Sequence, residues 1–180
     1  MTATVTERVT TTPTDVSPLK KSGLLLTAAI VALVVGFGAV AGGAFGAWYT
    51  WDQAVAQGVV TPDDAVVPGA DVRGPLTMWA QADIITKHQL DRTGGLYYSE
   101  MPREVPAVDE AGQPVLDESG EQVMVPNEAR ASWIDATALT TALSLGIISY
   151  ALSAMAIAVG AALILTGFVF LRIRNKAVLV

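Results

Sequence analysis

Two long apolar runs without a charged residue dominate the pattern of hydrophobic and polar positions along the chain. They cover residues 22–51 and 136–171, which are 30 and 36 residues long. A helix rises about 1.5 Å per residue, so about 20 residues cross a hydrocarbon core roughly 30 Å thick. Neither run shows the polar stripe typical of a helix on the surface of a soluble domain. The pattern therefore predicts two transmembrane helices, one in each run.

The second run is longer than a bilayer requires, because 36 residues of straight helix extend about 54 Å. We expect its first part, which is rich in alanine, threonine and serine, to project above the membrane. The spans themselves are predicted over about 23–49 and 145–171. Trp133 and Tyr150 are expected on either side of the outer membrane interface, since aromatic rings favour this layer.

Aromatic and basic side chains at the ends of the runs predict the orientation of the chain. Trp48 and Trp51 lie at the end of the first run, on the side of the intervening segment. Basic residues near a span mark its cytoplasmic side, and here they lie on the sides of the two chain termini. These basic residues are Lys20, Lys21, Arg172, Arg174 and Lys176. Both termini are therefore expected in the cytoplasm, with residues 52–135 outside.

The beginning of the chain also has a second interpretation. A basic stretch, an apolar stretch and the small residues Ala39-Val40-Ala41 resemble a secretory signal with its cleavage site. The apolar stretch before this site is about 18 residues long, whereas secretory signals typically carry about 7–15. The length favours an uncleaved anchor, and cleavage would leave one span and the same outer segment.

Charge separates the middle of the chain from its ends. Residues 52–135 carry fifteen acidic and five basic side chains, whereas the two terminal segments together carry two and six. We expect an acidic extracytoplasmic domain over 52–135 and a short basic cytoplasmic tail over 172–180. Residues 1–21 are rich in threonine and are expected to form a disordered cytoplasmic tail. The negative outer segment disfavours nucleic-acid binding, which uses basic patches.

Proline and glycine divide the outer segment into one helix and a set of turns. Pro75 suits the first position of a helix and Gly94 suits a position just past its end, so a helix is predicted over 75–92. Its apolar side is expected to comprise Trp79, Ala82, Leu90 and Ile84 or Ile85.

An eight-residue repeat follows this helix. Residues 109–115 read DEAGQPV, and residues 117–123 read DESGEQV. Each unit predicts a turn with glycine in a left-handed conformation, and the valines beside the turns predict short strands that form a hairpin. The predicted fold is therefore mainly α: two transmembrane helices form a hairpin, with a small α+β extracytoplasmic insertion between them.

Small residues four positions apart mark candidate packing faces on both spans. This spacing places small side chains on one helix face, where a second backbone can approach closely. A tight helix pair is therefore expected, either within the chain or with a partner. The candidate residues are Gly38, Gly42 and Gly46 in the first span and Ala154, Ala158 and Ala162 in the second.

Few residues suggest chemistry. The chain has no cysteine and one histidine, His88, whereas zinc and non-haem iron sites usually need several such ligands. Neither acidic repeat has the ligand spacing of an EF-hand calcium loop. We expect no catalytic residue, no metal ligand and no cofactor.

Three stretches of the sequence resemble a family of small actinobacterial membrane proteins of unknown function. They are residues 61–75, 124–130 and 133–143, and the resemblance covers the chain from about Gly46 to Gly167. It implies a two-span architecture in a bacterial plasma membrane. Members of this family are sometimes named after an aromatic ring-opening dioxygenase. That activity is not expected here, since His88 is the only histidine available for iron.

The composition of the spans guides the functional hypotheses. Neither run contains Asp, Glu, Lys, Arg or His, and intramembrane ionisable residues are the usual mark of ion and substrate paths. We therefore expect a non-catalytic accessory or scaffolding subunit of a larger cell-envelope or respiratory membrane complex. Its partners would be the lipid bilayer and a membrane protein, or a second copy of the chain. The alternative is an extracytoplasmic sensor module that binds a ligand or a cation and is anchored by two helices.

Overall fold

A computed structural model of the protein describes residues 23–176 and places long helices at both ends of this range. The intervening residues form a third helix, a short 3₁₀ helix and a two-stranded antiparallel sheet. The fold is mainly helical, with two long apolar helices and a small sheet, as the sequence predicts. The elements are α1 (Gly23–Ala56), α2 (Pro75–Arg92), the 3₁₀ helix (Tyr98–Glu100), β1 (Glu104–Pro106), β2 (Met124–Pro126) and α3 (Glu128–Lys176).

Among the described residues, α1 and α3 are long and apolar enough to cross a membrane. They contain 34 and 49 residues, and the most apolar 18-residue window of each helix has a mean hydropathy of 2.6 and 2.4, respectively. Only 17% and 11% of these windows are buried within the chain. Most of their apolar side chains therefore remain exposed.

Both long helices extend beyond the apolar runs. Helix α1 ends at Ala56 and is followed by Gly58, whose φ of 60° no other residue type adopts as easily. Helix α3 begins at Glu128 because Asn127 caps it: the side-chain oxygen of Asn127 accepts a hydrogen bond from the backbone N–H of Arg130 at 3.1 Å. About 12 Å of helix therefore precede the second apolar run.

The described chain divides into two compact units. The first comprises residues 23–40 and 158–176, which belong to the two long helices. The second is Ala41–Ile157, which contains the rest of these helices, α2 and the sheet.

The core of the second unit lies along one face of α2. Met78 and Ile84 are 4% and 2% exposed, and Gln89 donates a hydrogen bond to the hydroxyl of Ser132 at 2.6 Å. The predicted apolar side is therefore wrong at Trp79, which is 47% exposed. Met78 and Gln89 are eleven residues apart, about three full turns, and therefore lie on the same face of α2, so their contacts fix which face points inward.

Trp133 belongs to this core: its side chain is buried, whereas the sequence predicts a ring exposed at the outer membrane interface. It is 7% exposed, and its indole N–H donates to the carbonyl oxygen of Leu96 at 3.0 Å. Its ring also stacks on Tyr97, with centroids 5.5 Å apart. A buried indole needs such a hydrogen-bond acceptor, and the extended segment after α2 supplies it.

The eight-residue repeat forms the predicted turns and hairpin. Gly112 and Gly120 have φ values of 76° and 83°, the left-handed conformation that both turns require. The backbone N–H of Ala107 donates to Val123, Val123 donates to Val115, and Val115 donates to Ala107, at 2.8–3.0 Å. Positions eight residues apart thereby close a ring of three extended segments, which extends the two-strand pairing of β1 and β2.

Candidate functional site: the small-residue helix faces

Small residues recur every seven positions on one face of each long helix. Residues seven apart lie on the same face, because two helical turns take about 7.2 residues. A sustained seven-residue repeat is typical of helices that pair as coiled coils. We call these residues the seam: they are Ala29, Gly36, Gly43 and Thr50 on α1, and Ser153, Gly160 and Gly167 on α3.

In the first unit the two backbones touch at the seam glycines. A Cβ atom at Gly36 would lie 2.8 Å from the carbonyl oxygen of Gly160, and one at Gly160 would lie 2.6 Å from the carbonyl oxygen of Gly36. A Cβ atom at Gly167 would lie 2.7 Å from the side chain of Leu33. At Gly36 and Gly160 no side chain larger than hydrogen fits without a shift of the backbone, whereas at Gly167 the side chain of Leu33 would have to move.

In the second unit the seam combines close approach with a polar contact. A Cβ atom at Gly43 would lie 2.6 Å from the carbonyl oxygen of Ser153. The hydroxyl oxygens of Thr50 and Ser149 are 2.6 Å apart and share a hydrogen bond. Hydroxyl pairs of this kind hold helices together where water is scarce.

The four-residue faces predicted from the sequence coincide with these contacts only at Gly46, where a Cβ atom would lie 2.8 Å from the hydroxyl of Ser153. Among residues 23–176, a Cβ atom at Gly38 or Gly42 would meet no atom within 4 Å beyond its own part of α1. The predicted alanines of α3 are likewise exposed: Ala154, Ala158 and Ala162. The seam pairs α1 with α3, and the predicted four-residue faces are mostly left open.

The residues predicted to anchor the chain lie at helix ends or outside the described residues. Trp48 and Trp51 are 54% and 42% exposed on α1, and the Trp48 ring lies 5.7 Å from that of Phe45. Two of the basic residues, Lys20 and Lys21, lie outside the described residues, as do the whole predicted N-terminal tail (1–21) and residues 177–180 of the predicted C-terminal tail. The remaining basic residues occupy the last turns of α3: Arg172, Arg174 and Lys176.

The outer segment contains one pair of titratable side chains in contact. Nε2 of His88 lies 2.7 Å from Oδ2 of Asp64, and both side chains are at least half exposed. The hydrogen bond from His88 lowers the pKa of the Asp64 carboxyl. Within residues 23–176, no three His, Cys, Asp or Glu side chains come together in a way that could hold a metal ion. The pair therefore links α2 to the loop before it.

The repeat turns are held by their leading aspartates. The carboxylate of Asp117 accepts hydrogen bonds from the backbone N–H groups of Ser119 and Glu121, and from the Ser119 hydroxyl at 2.7 Å. Asp109 accepts the same two backbone bonds in the first turn. The Ser119 hydroxyl, followed by the backbone donors, lowers the pKa of the Asp117 carboxyl below its ordinary value of 3.8.

Replacing Ser119 by alanine is expected to raise the pKa of Asp117 toward its ordinary value. A carboxyl with a lowered folded-state pKa contributes stability above its unfolded pKa and loses it as the pH falls. The Ser119→Ala turn should therefore open at a higher pH during acid titration than the native turn. Carbon-detected NMR of the carboxyl group would measure this shift. Glu110→Gln, in the other turn, should leave the titration of Asp117 unchanged.

Comparison with protein-family models, with curated proteins and with solved structures finds no match to this chain. The sequence signal that identifies the seam is the seven-residue recurrence of small residues in both runs, which the four-residue glycine pattern obscures.

Proposed function

We propose that this chain is a non-catalytic membrane protein whose helices α1 and α3 cross a bacterial plasma membrane as a hairpin, and that it serves as an accessory or scaffolding subunit of a larger cell-envelope or respiratory complex. One observation carries the proposal: the most apolar windows of these helices are only 17% and 11% buried within the chain. In water such a surface would drive aggregation, so lipid or a membrane partner must cover it.

The dimensions of the helices support the membrane location. Tyr150 to Leu171 spans 22 residues, or about 33 Å of helix, close to the thickness of a hydrocarbon core. The hydrogen bond between Thr50 and Ser149 places the aromatic end of α1 beside the start of this stretch. Arg172 follows the stretch directly, at the predicted cytoplasmic side. The two-span architecture implied by the family resemblance agrees with this arrangement.

The open small-residue faces support an accessory role. The seam residues bring α1 and α3 together, whereas a Cβ atom at Gly38 or Gly42 would meet no atom of residues 23–176 within 4 Å beyond its own part of α1. A partner helix can approach a backbone closely at such a G-x-x-x-G face, through dispersion and close packing. We propose that this face receives a helix of the larger complex.

Affinity purification from native membranes in a mild detergent tests this role. The native chain is expected to bring down a stoichiometric membrane complex. Gly42→Leu should reduce its recovery about tenfold or more, because overpacking a close helix contact costs about 1–3 kcal/mol. The matched control is Ala44→Leu, which adds the same side chain on the other side of α1, away from Gly42.

The outcomes separate the hypotheses. Purification of the chain alone, or equal recovery by both variants, would remove the support for an accessory role at this face. In that case a melting-temperature screen of the whole protein with ligands and cations would test the sensor alternative.

A further inference from the structure

Helix α2 runs along the outer part of α3 in the opposite direction. Near the start of α2, the sulfur of Met78 lies 2.7 Å from the position that a Cβ atom at Gly146 would occupy. Near its end, Gln89 donates to the hydroxyl of Ser132. The start of α2 therefore points along α3 toward the proposed membrane span, and its end points away from it.

The start of α2 is held at the level of the aromatic end of α1. The phenol O–H of Tyr150 donates to the carbonyl oxygen of Arg73, two residues before α2, at 2.7 Å. The neighbouring residue Ser149 bonds Thr50, which lies between aromatic residues of α1. This level is where the proposed spans leave the hydrocarbon core.

Two large apolar side chains are exposed at this end of α2. Leu76 is 63% exposed and Trp79 is 47% exposed. They are three residues apart and therefore neighbours on one face. Side chains of a helix tilt toward its N-terminus, which here is the membrane-facing end. We call Pro75, Leu76 and Trp79 the foot of α2.

Charge sets the foot apart from the rest of the outer segment. Residues 74–82 carry no charged side chain, although residues 52–135 contain fifteen carboxylates. The first turn of α2 contains no acidic residue. The part of α2 that reaches the proposed membrane level therefore carries no negative charge, which an anionic leaflet would repel.

We propose that the foot inserts into the headgroup layer of the outer leaflet and forms a third membrane contact beside the two spans. The inference rests on the proposed membrane location of α1 and α3. Trp79 brings an amphipathic ring of the kind that favours this layer, and Leu76 reaches below it. Lipid is favoured over a protein occupant because the foot lies at the level of the aromatic residues of α1 and is itself uncharged.

The absence of native cysteines allows a direct test in the full-length protein. Single cysteines are introduced by Leu76→Cys, Trp79→Cys and Lys87→Cys, and each is labelled with a nitroxide. Lys87 is exposed near the other end of α2. A fourth variant, Phe168→Cys, reports on the exposed apolar surface of α3. Each protein is reconstituted in vesicles of phosphatidylcholine and phosphatidylglycerol.

Collision rates with oxygen and with a water-soluble nickel chelate then measure depth. The ratio of oxygen to nickel collisions should be several-fold higher at positions 76 and 79 than at 87, and highest at 168. Equal ratios at 76, 79 and 87, with lipid-like values at 168, would contradict the insertion of the foot but still support the proposed membrane spans. Water-like values at 168 would overturn the membrane location itself.

A protein occupant gives a different result. Labels at 76 and 79 would then be protected in native membranes but water-exposed in the lipid vesicles, and the lipid contact would be overturned. Circular dichroism of each variant verifies that the helices are formed. Substitution at Leu76 and Trp79 should not disturb folding, because both side chains are exposed.

Discussion

Replacing Gly160 by alanine is expected to lower the free energy of unfolding in detergent micelles by about 1–3 kcal/mol. The added Cβ atom would lie 2.6 Å from the carbonyl oxygen of Gly36 and 2.9 Å from the backbone nitrogen of Val40. Both are backbone atoms, which cannot rotate away as the end of a side chain can, so the two helices must separate. Titration with a denaturing detergent, followed by circular dichroism, would measure the loss.

The matched control for this substitution is Gly38→Ala. It makes the same chemical change within the other long helix, at a position where a Cβ atom would meet no described atom within 4 Å beyond its own part of α1. We expect no loss of stability, because alanine favours helix formation more than glycine does. A similar loss in Gly38→Ala and Gly160→Ala would contradict the assignment of the seam, since the open face should tolerate the methyl group.

Replacing Trp133 by alanine is expected to destabilise the outer segment by about 3–5 kcal/mol, the usual cost of deleting a buried aromatic side chain. Trp133 is 7% exposed, stacks on Tyr97 and donates to Leu96. Its loss would leave a cavity between α3 and the segment that follows α2. Hydrogen exchange of the backbone amides of α2 and α3 should show faster opening in the variant.

A second substitution distinguishes the contribution of the buried Trp133 ring from that of its hydrogen bond. Trp133→Phe keeps an aromatic ring but removes the N–H donor, which should cost about 0.5–1.5 kcal/mol for the hydrogen bond. The carbonyl oxygen of Leu96 keeps a second donor, the Thr93 hydroxyl at 2.6 Å, so it is not left unpaired. If the phenylalanine variant were as unstable as the alanine variant, burial of the ring would not be the main contribution.

The parts of the fold that depend on local chemistry could be predicted from the sequence. The predicted limits of α2 match the observed Pro75–Arg92, because proline fixes the backbone at its start and Gly94 takes a φ of 62° after its end. The two repeat turns were predicted for the same reason, since each contains a glycine where the chain needs a left-handed residue.

The contacts between distant segments could not be predicted in this way. Both a four-residue and a seven-residue spacing of small residues occur in the apolar runs, and the sequence alone does not say which one the chain uses for itself. The four-residue spacing predicts a helix contact at Gly38 and Gly42, whereas the backbones of α1 and α3 approach each other at Gly36 and Gly160. The burial of Trp133 could not be predicted for a similar reason, because its acceptor, Leu96, lies 37 residues away along the chain.

The stretch that forms the ring of three extended segments lacks the residues that trypsin-like proteases recognise. Exposed turns are usually the first places where a folded chain is cut, and most side chains between Glu104 and Pro126 are exposed. This stretch contains six carboxylates but no lysine or arginine, the residues after which trypsin-like enzymes cut. Such an enzyme finds its nearest targets at Arg103 and at Arg130, whose guanidinium lies 3.8 Å above the ring of Tyr98. This exposed stretch therefore offers no cleavage site to that class of protease.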